Sequence, residues 1–278
     1  MQDKQKQDQG VLGIFAGRGI LPQMLIEECQ RMGRKFFIFL LEGENYEIDY
    51  SPFSPVKLCY GEVEKFLSSI HENNIKELVF IGGVTKPNFS SLKVDKRGAI
   101  LLAKILASKI LGDDAVLRAV IKFFEKEGLK IIPINQLLTD LAPKKSTLSK
   151  IQPNKEELAD IEIAVKAIKA MSYFDIGQSV VVVQKQIIAV EALEGTDKMI
   201  LRCADLKTEY VKDAILVKLK KSNQSSKADL PTIGVSTINN CYVSGIKGIA
   251  IQAGSTLILE KEKVVALVDE LGMFLIAI

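Results

Sequence analysis

Short, unbroken apolar runs separated by helix-length stretches constrain this chain more than any other feature. VLGIFA (11–16), FFIFLL (36–41) and ELVFIGG (77–83) are strand-length and almost free of polar residues. A strand with one wet face alternates; a run this uniform is buried on both faces. Helical stretches follow each run, to about Met32, around 62–72, and over 98–111 and 114–127. VKLCY (56–60) and LKIIPI (129–134) supply two more strands. Strands alternating with helices of this length predict a parallel sheet wrapped by helices.

The pattern pauses at residues 140–154, which hold Pro143, Pro153 and lysines at 144, 145 and 150. That stretch reads as a linker between residues 1–139 and residues 155–278. The second half opens with a helix at 155–171. Strands follow at SVVVVQ (179–184), IIAVEAL (187–193), AILVKLK (214–220), near 248–252, at TLILE (256–260) and at MFLIAI (273–278), with a helix at 261–271. The fold class expected is α/β in two domains, an N-terminal Rossmann-like parallel sheet and a C-terminal mixed α/β domain. The C-terminal strand is expected to be an exposed edge, a route to a homodimer.

Composition narrows the function. The 278 residues are 47% hydrophobic and 26% charged, with a net charge of +3, which excludes a disordered chain and a strong nucleic-acid field. Aromatic residues make up 6% and Trp is absent, so a base-stacking surface is not expected. Cys29, Cys59, Cys203 and Cys241 are far apart, without the spacing of a zinc site or a disulfide framework. Reduced thiols in the cytoplasm follow as the expectation. No apolar run approaches the ~18 residues that would span a bilayer, and MQDKQKQDQG lacks the apolar core of a secretory signal. The single histidine, His71, has no motif around it, which disfavours Ser-His-Asp chemistry.

Two glycine-rich turns follow first-half strands. Gly17-Arg18-Gly19 feeds a helix, as a phosphate cradle does, and Glu42 follows the second strand. Pro22 stands where a dinucleotide fingerprint wants its third glycine. A tight turn needing positive φ explains the same glycines, so both readings stay open, and a dinucleotide-dependent oxidoreductase is one alternative. Gly82-Gly83-Val84-Thr85-Lys86-Pro87 leaves another strand end, where Lys86 is a candidate phosphate contact and equally a solvated lysine. In LGDDAVLRAV (111–120), Asp113 or Asp114 is expected to cap a helix and Arg118 to pair with Asp114.

The second half gathers acids where an apolar run stops. IIAVEALEGTDKMILR (187–202) places Glu191, Glu194 and Asp197 around Gly195. Thr196 is a good N-cap, and Asp197 suits the first helical turn. Glu191 and Glu194 flank apolar residues near a strand end, where a buried carboxylate needs a cation or hydrogen bonds. Another strand releases Lys218, Lys220 and Lys221, then Gln224, Lys227 and Asp229. Carboxylates and lysines on neighbouring loops suit Mg²⁺, which takes oxygen ligands and shares substrate phosphates. Metal-assisted phosphoryl transfer or hydrolysis is the chemistry these loops imply.

At these residues the chain resembles the metal-dependent UDP-2,3-diacylglucosamine pyrophosphatases of lipid A biosynthesis that are unrelated to the calcineurin-like phosphoesterases. The likeness is carried by IFAGRGILP (14–22), GDDAVLRAV (112–120), FDIGQSVVVVQKQIIAVEALEGTDKMILR (174–202), LVKLKKSNQ (216–224) and DLPTIG (229–234). The resemblance implies hydrolysis to UMP and 2,3-diacylglucosamine 1-phosphate, with Mg²⁺ or another divalent cation such as Mn²⁺, and a cleft between the domains for the acyl chains. It implies Asp229, Glu191 and Lys218 as catalytic residues and Asp229, Glu191 and Asp197 as metal ligands. Gly17, Gly19, Lys86, Glu194, Thr196, Gln224 and Lys227 are then the substrate contacts. The family's Gln-Asp-x-Arg string is Gln224-Ser225-Ser226-Lys227 here, which makes a catalytically weak nucleotide- or lipid-binding homologue a further alternative. A diacylated substrate implies contact with the inner-membrane surface. The helices of 98–127, flanked by Lys93, Lys96, Arg97, Lys104 and Lys109, are the expected contact.

Overall fold

The computed structural model describes residues 10–108, 113–174, 176–206, 213–221, 227 and 230–278, with the side chains of Ser90, Asp113 and Asp114 excepted. It divides into two compact units, the first ending at Leu138 and the second beginning at Thr139.

The first unit is built on β1 (Leu12–Ala16), β2 (Phe36–Leu41), β3 (Val56–Leu58), β4 (Glu77–Ile81) and β5 (Lys130–Ile131), in the order β3-β2-β1-β4-β5. All pairs are parallel. The apolar runs become strands because both sheet faces are covered. Helices α1 (Leu21–Met32), α2 (Val63–Glu72), α3 (Lys96–Ser108), α4 (Asp113–Lys126) and α5 (Ile134–Leu137) supply that cover. Phe39, Phe15 and Phe80 stand side by side in one cross-strand row. Phe66 of α2 and Phe124 of α4 close on that row edge-on or tilted. Such ring pairs add stability beyond the area they bury. α1 starts with proline at its head and stops at Gly33 in the left-handed region (φ 66°). Asp113 and Asp114 do open α4, but their side chains lie outside the described residues, so the expected cap and the Arg118 pair have no structural account.

The second unit holds a mixed sheet of β6 (Ser146–Thr147), β7 (Ser179–Val183), β8 (Gln186–Val190), β9 (Ala214–Lys218), β11 (Ile246–Ile251) and β13 (Phe274–Ala277). Their order is β6-β13-β11-β9-β7-β8. A short parallel pair, β10 (Thr232–Ile233) with β12 (Leu257–Ile258), lies apart from it. One sheet face carries Val181, Leu216, Ile249 and Leu275 against α7 (Thr196–Cys203), α8 (Val235–Val243) and α9 (Lys261–Glu270). The other carries Val180, Val182, Val217 and Phe274 against α6 (Lys155–Ser172). α6 begins with a reciprocal box: Asn154 accepts from the Glu157 amide and the Glu157 carboxylate accepts from the Asn154 amide. β7 and β8 form a hairpin whose turn residues, Gln184 and Lys185, both have positive φ. The strain is offset by the Asp160 carboxylate, which accepts from both turn amides at 2.9 and 2.6 Å.

The stretch expected as a linker is woven into this sheet. β6 pairs antiparallel with β13, the Leu148 amide donates to the Leu275 carbonyl (2.8 Å), and the Lys150 amide donates to Asp269 (2.7 Å). β13 therefore lies between β11 and β6, which corrects the expectation of a free C-terminal edge. Proline and lysine content marked the segment as solvated; its alternate backbone groups are nonetheless claimed by the sheet.

Gly248 on β11 faces Phe274 on β13, and a Cβ there would stand 2.1 Å from the ring. Gly248→Ala is expected to cost about 2–3 kcal/mol, because the fully buried Phe274 ring must shift to admit the methyl group. A urea midpoint lowered at unchanged slope would show it; an unchanged midpoint would mean the ring moves aside freely.

Candidate active site

The strongest polar constellation among the described residues sits at one end of the second sheet. β9 runs apolar until its last residue, Lys218, which lies on the face that carries Leu216. Across the sheet Lys218 is in register with Ser179, the first residue of β7. β8 ends at Val190, and the next amide, that of Glu191, donates to the Ser179 carbonyl (3.0 Å). Period-2 alternation thus puts Glu191, Ser179 and Lys218 in one row on one face. The end they occupy is the carboxyl end of the parallel strands β9 and β11, where open α/β sheets collect ligands.

The chain then turns through Gly195 (φ 82°) into α7. Thr196 is the first residue of that helix and not its N-cap; Gly195 holds the cap position and offers no side-chain bond. The Thr196 hydroxyl turns to the sheet instead. Lys218 Nζ donates to its Oγ1 (2.8 Å), and Ser179 Oγ lies 3.3 Å from the same atom. All three side chains are buried, with Lys218 only 6% exposed. A buried ammonium group is tolerated only with acceptors around it.

Glu191 is also buried, and its Oε2 has no hydrogen-bond partner among the described residues; Gln178 Oε1 shares that condition. These two acceptors flank one strand start, and without donors among the described residues they suit a group that supplies positive charge or protons. Gly177 lets the two loops meet: a Cβ there would stand 2.1 Å from the Glu191 carbonyl oxygen. Asp197 is exposed in the first turn of α7, as its preference for the helix dipole implies. Its charge and that of Lys218 both reach the fully buried Cys241 thiol. Burial pushes that thiol up, Asp197 adds to the effect, and Lys218 opposes it.

Glu194 differs from its expectation as a buried acid. It is exposed and pairs with Arg202 (3.2 Å). Its carboxyl is held below the ordinary range by its own amide first and by Arg202 next. The turn carries it past the strand face that Glu191 occupies. Gln224 and Asp229 lie outside the described residues; Lys227 is half-buried. No group of three or more His, Cys, Asp or Glu side chains able to hold a metal ion forms among the described residues. Ser179, Gln178 and Gly177 are not among the candidates that charge and spacing single out, although the unusual D-I-G-Q-S string contains all three.

The glycine turns of the first unit have structural work of their own. A Cβ on Gly17 would stand 2.4 Å from the Gly83 carbonyl oxygen. Arg18 and Gly83 exchange backbone hydrogen bonds (2.7 and 3.0 Å), bridging β1 and β4 where the strand order reverses. The Gly19 amide donates to Glu47 (2.8 Å), so a carboxylate of the same unit occupies the donor that a phosphate would use. Nearby, burial would raise the Glu44 carboxyl, but the Thr85 amide, Tyr60, the Thr85 hydroxyl and Arg18 hold it below its ordinary range. Lys86 lies in the same loop as Thr85, exposed. These contacts explain the glycines without a dinucleotide.

The fold and site define a class: a two-unit α/β protein with a lysine, hydroxyl and carboxylate row at the carboxyl ends of sheet strands. Comparison with known proteins refines it. Residues 11–141 match the LpxI N-terminal domain and residues 144–276 match the LpxI C-terminal domain. A protein of Caulobacter vibrioides named UDP-2,3-diacylglucosamine pyrophosphatase LpxI is 36% identical over 274 residues, spanning 96% of this chain and 97% of that relative. The chain belongs to the LpxI family.

The orphaned Glu191 oxygen predicts a stability gain on its removal. Glu191→Met is expected to stabilise the metal-free protein by about 1–2 kcal/mol, since an unpaired buried acceptor gives way to an apolar side chain of similar length. Denaturant titration in EDTA reads this directly; a lower midpoint would mean that the carboxylate is satisfied in solution.

Proposed function

We propose that this protein hydrolyses the pyrophosphate bond of UDP-2,3-diacylglucosamine, giving UMP and 2,3-diacylglucosamine 1-phosphate, with Mg²⁺ or Mn²⁺. The activity named for the Caulobacter vibrioides relative supports the reaction. The observation that carries it to this chain is Lys218, a buried ammonium group at a strand end, fixed by Thr196.

In this reading water attacks the sugar-side phosphorus, the bond to the bridging oxygen breaks, and that oxygen leaves with UMP. Negative charge grows on the phosphoryl oxygens, and a positioned cation stabilises it more in the transition state than in the ground state. Lys218 is that cation. Its bond to Thr196, itself backed by Ser179, removes the rotamer freedom that a solvated lysine would have to lose on binding. Asp229 is the proposed essential acid that takes the proton from water. Glu191, with Asp197 and Asp229, is the proposed holder of the divalent cation, and its donorless Oε2 fits that role. When bound, such a cation neutralises charge on the diphosphate oxygens. Gln224, Lys227 and Glu194 are kept as proposed substrate contacts, as are Gly17 and Lys86 of the first unit; the Gly19 amide is already held by Glu47.

A substrate with two acyl chains supports the proposal that the work is done at the cytoplasmic face of the inner membrane. No helix of the described residues is long and apolar enough to cross a membrane, so contact is proposed to be peripheral. A second reading, a weakly active lipid or nucleotide binder, is favoured by Ser225 and Lys227, since lysine keeps the charge of arginine but loses its bidentate fork.

Two measurements test this. Purified protein with detergent-dispersed substrate and Mg²⁺ is expected to release UMP, with EDTA or Asp229→Ala cutting the rate at least 100-fold. UMP no faster than in buffer would leave the binder. Thr196→Val is expected to lower kcat about tenfold or more with little change in KM, and to cost about 2 kcal/mol of stability by leaving Lys218 short of an acceptor. A kcat equal to wild type would remove the positioning role.

A further inference from the structure

Apolar side chains project from the two loops that adjoin the row of Glu191, Ser179 and Lys218. After α6, Tyr173 is 82% exposed, Phe174 71% and Ile176 44%. The Tyr173 and Phe174 rings touch edge to face, with centroids 5.1 Å apart, so they stand as one unit. After β8, Leu193 is 107% exposed, a side chain wholly outside the fold. The loops meet at Gly177 and Glu191, so these tips share one corner of the sheet. Scattered exposed hydrophobes are ordinary; four on adjoining loops beside a polar site are not.

We propose that this corner is a docking surface for an anionic lipid bilayer, seating the row of Glu191, Ser179 and Lys218 at the headgroup level; the inference rests on the reading of the site as one for a diacylated substrate. The residue types fit that occupant. A Tyr with an adjacent Phe suits the zone between headgroups and acyl chains, where a ring body is apolar and a hydroxyl stays wet. The charges fit as well. Lys166 and Lys169 lie exposed on the last turns of α6, Lys198 is exposed on α7, and Lys220 and Lys221 follow β9, half-buried. Against them stand Asp175 and Asp197 in sequence, while Glu194 is engaged by Arg202. Lysines near an anionic surface add to binding by apolar insertion. The surface expected earlier, on the helices of 98–127, is less suited. Lys104 rests over the Phe123 ring (4.9 Å to its centroid), and Arg97 is paired with Glu127 (2.8 Å).

The absence of Trp from the chain gives a clean reporter. In full-length Phe174→Trp, vesicles of phosphatidylethanolamine and phosphatidylglycerol are expected to shift the emission to the blue at low salt. Phosphatidylcholine vesicles are expected to do so less. In co-sedimentation, Tyr173→Ser/Phe174→Ser/Leu193→Ser is expected to bind the anionic vesicles at least tenfold more weakly than wild type, and Ile100→Ser/Leu106→Ser on α3 equally well. The triple variant is expected to match wild-type turnover of detergent-dispersed substrate, which shows that its fold and site are intact. Tip-dependent binding without any UMP release would support the docking surface and count against the catalytic reading alone. An unchanged emission, an emission that follows protein concentration and not vesicles, a triple variant that binds like wild type, or a loss confined to the α3 variant would each overturn the proposal.

Discussion

A lysine ammonium buried at the end of an apolar strand is the constraint around which the second unit is arranged. Lys218 follows four fully apolar residues of β9, and its neighbours must supply acceptors or the strand could not end there. Thr196 supplies one, and to do so α7 must begin close to the sheet. Gly195 provides the positive φ that brings the helix in, and Gly177 provides the room for the β8 loop to pass beneath it. Ser179 then backs Thr196 from the paired strand. Each of these residues is small or hydroxylated for a reason that traces to one charge.

The same corner is incomplete among the described residues. Glu191 and Gln178 present buried oxygens that no donor of the described residues meets. A fold that satisfies the backbone of an irregular turn with Asp160 does not lack the means to satisfy a carboxylate. Buried polar groups left open are costly, and they persist where a ligand completes them. The glycine turns of the first unit show the opposite treatment. They lie where the strand order reverses, yet Gly19 is met by Glu47, and β1 and β4 are tied by the Arg18–Gly83 bridge. Similar strand-to-loop junctions therefore end in opposite states, one closed by the protein itself and one open.

Much of the fold was legible because burial on both faces leaves a plain mark. FFIFLL is β2 from end to end, and the order of strands and helices in the first half follows the apolar runs. β6, β10 and α8 were not legible. Two-residue strands carry no period, and α8 starts at Gly234 with no side-chain cap bond to announce it. In the site, Glu191 and Lys218 could be singled out because charge at the end of an apolar run is anomalous. Glu194 could not be separated from Glu191 by that argument, since a turn of unknown shape decides which acid stays under the sheet. Ser179 was hidden for the opposite reason: a serine opening a valine run looks like a strand boundary. Only the register with Lys218 shows it to be part of the row.

The clasp of β6 on β13 sets where this protein can be divided. β6 contributes just two residues, yet with Leu148 and Ser149 it occupies the outer backbone groups of β13. A fragment begun at Lys155, the start of α6, would strip that cover and expose a strand of Phe274, Leu275 and Ile276 to other chains. Such a bare, apolar border is a template for aggregation. A fragment begun at Thr139 would carry its own guard strand with it.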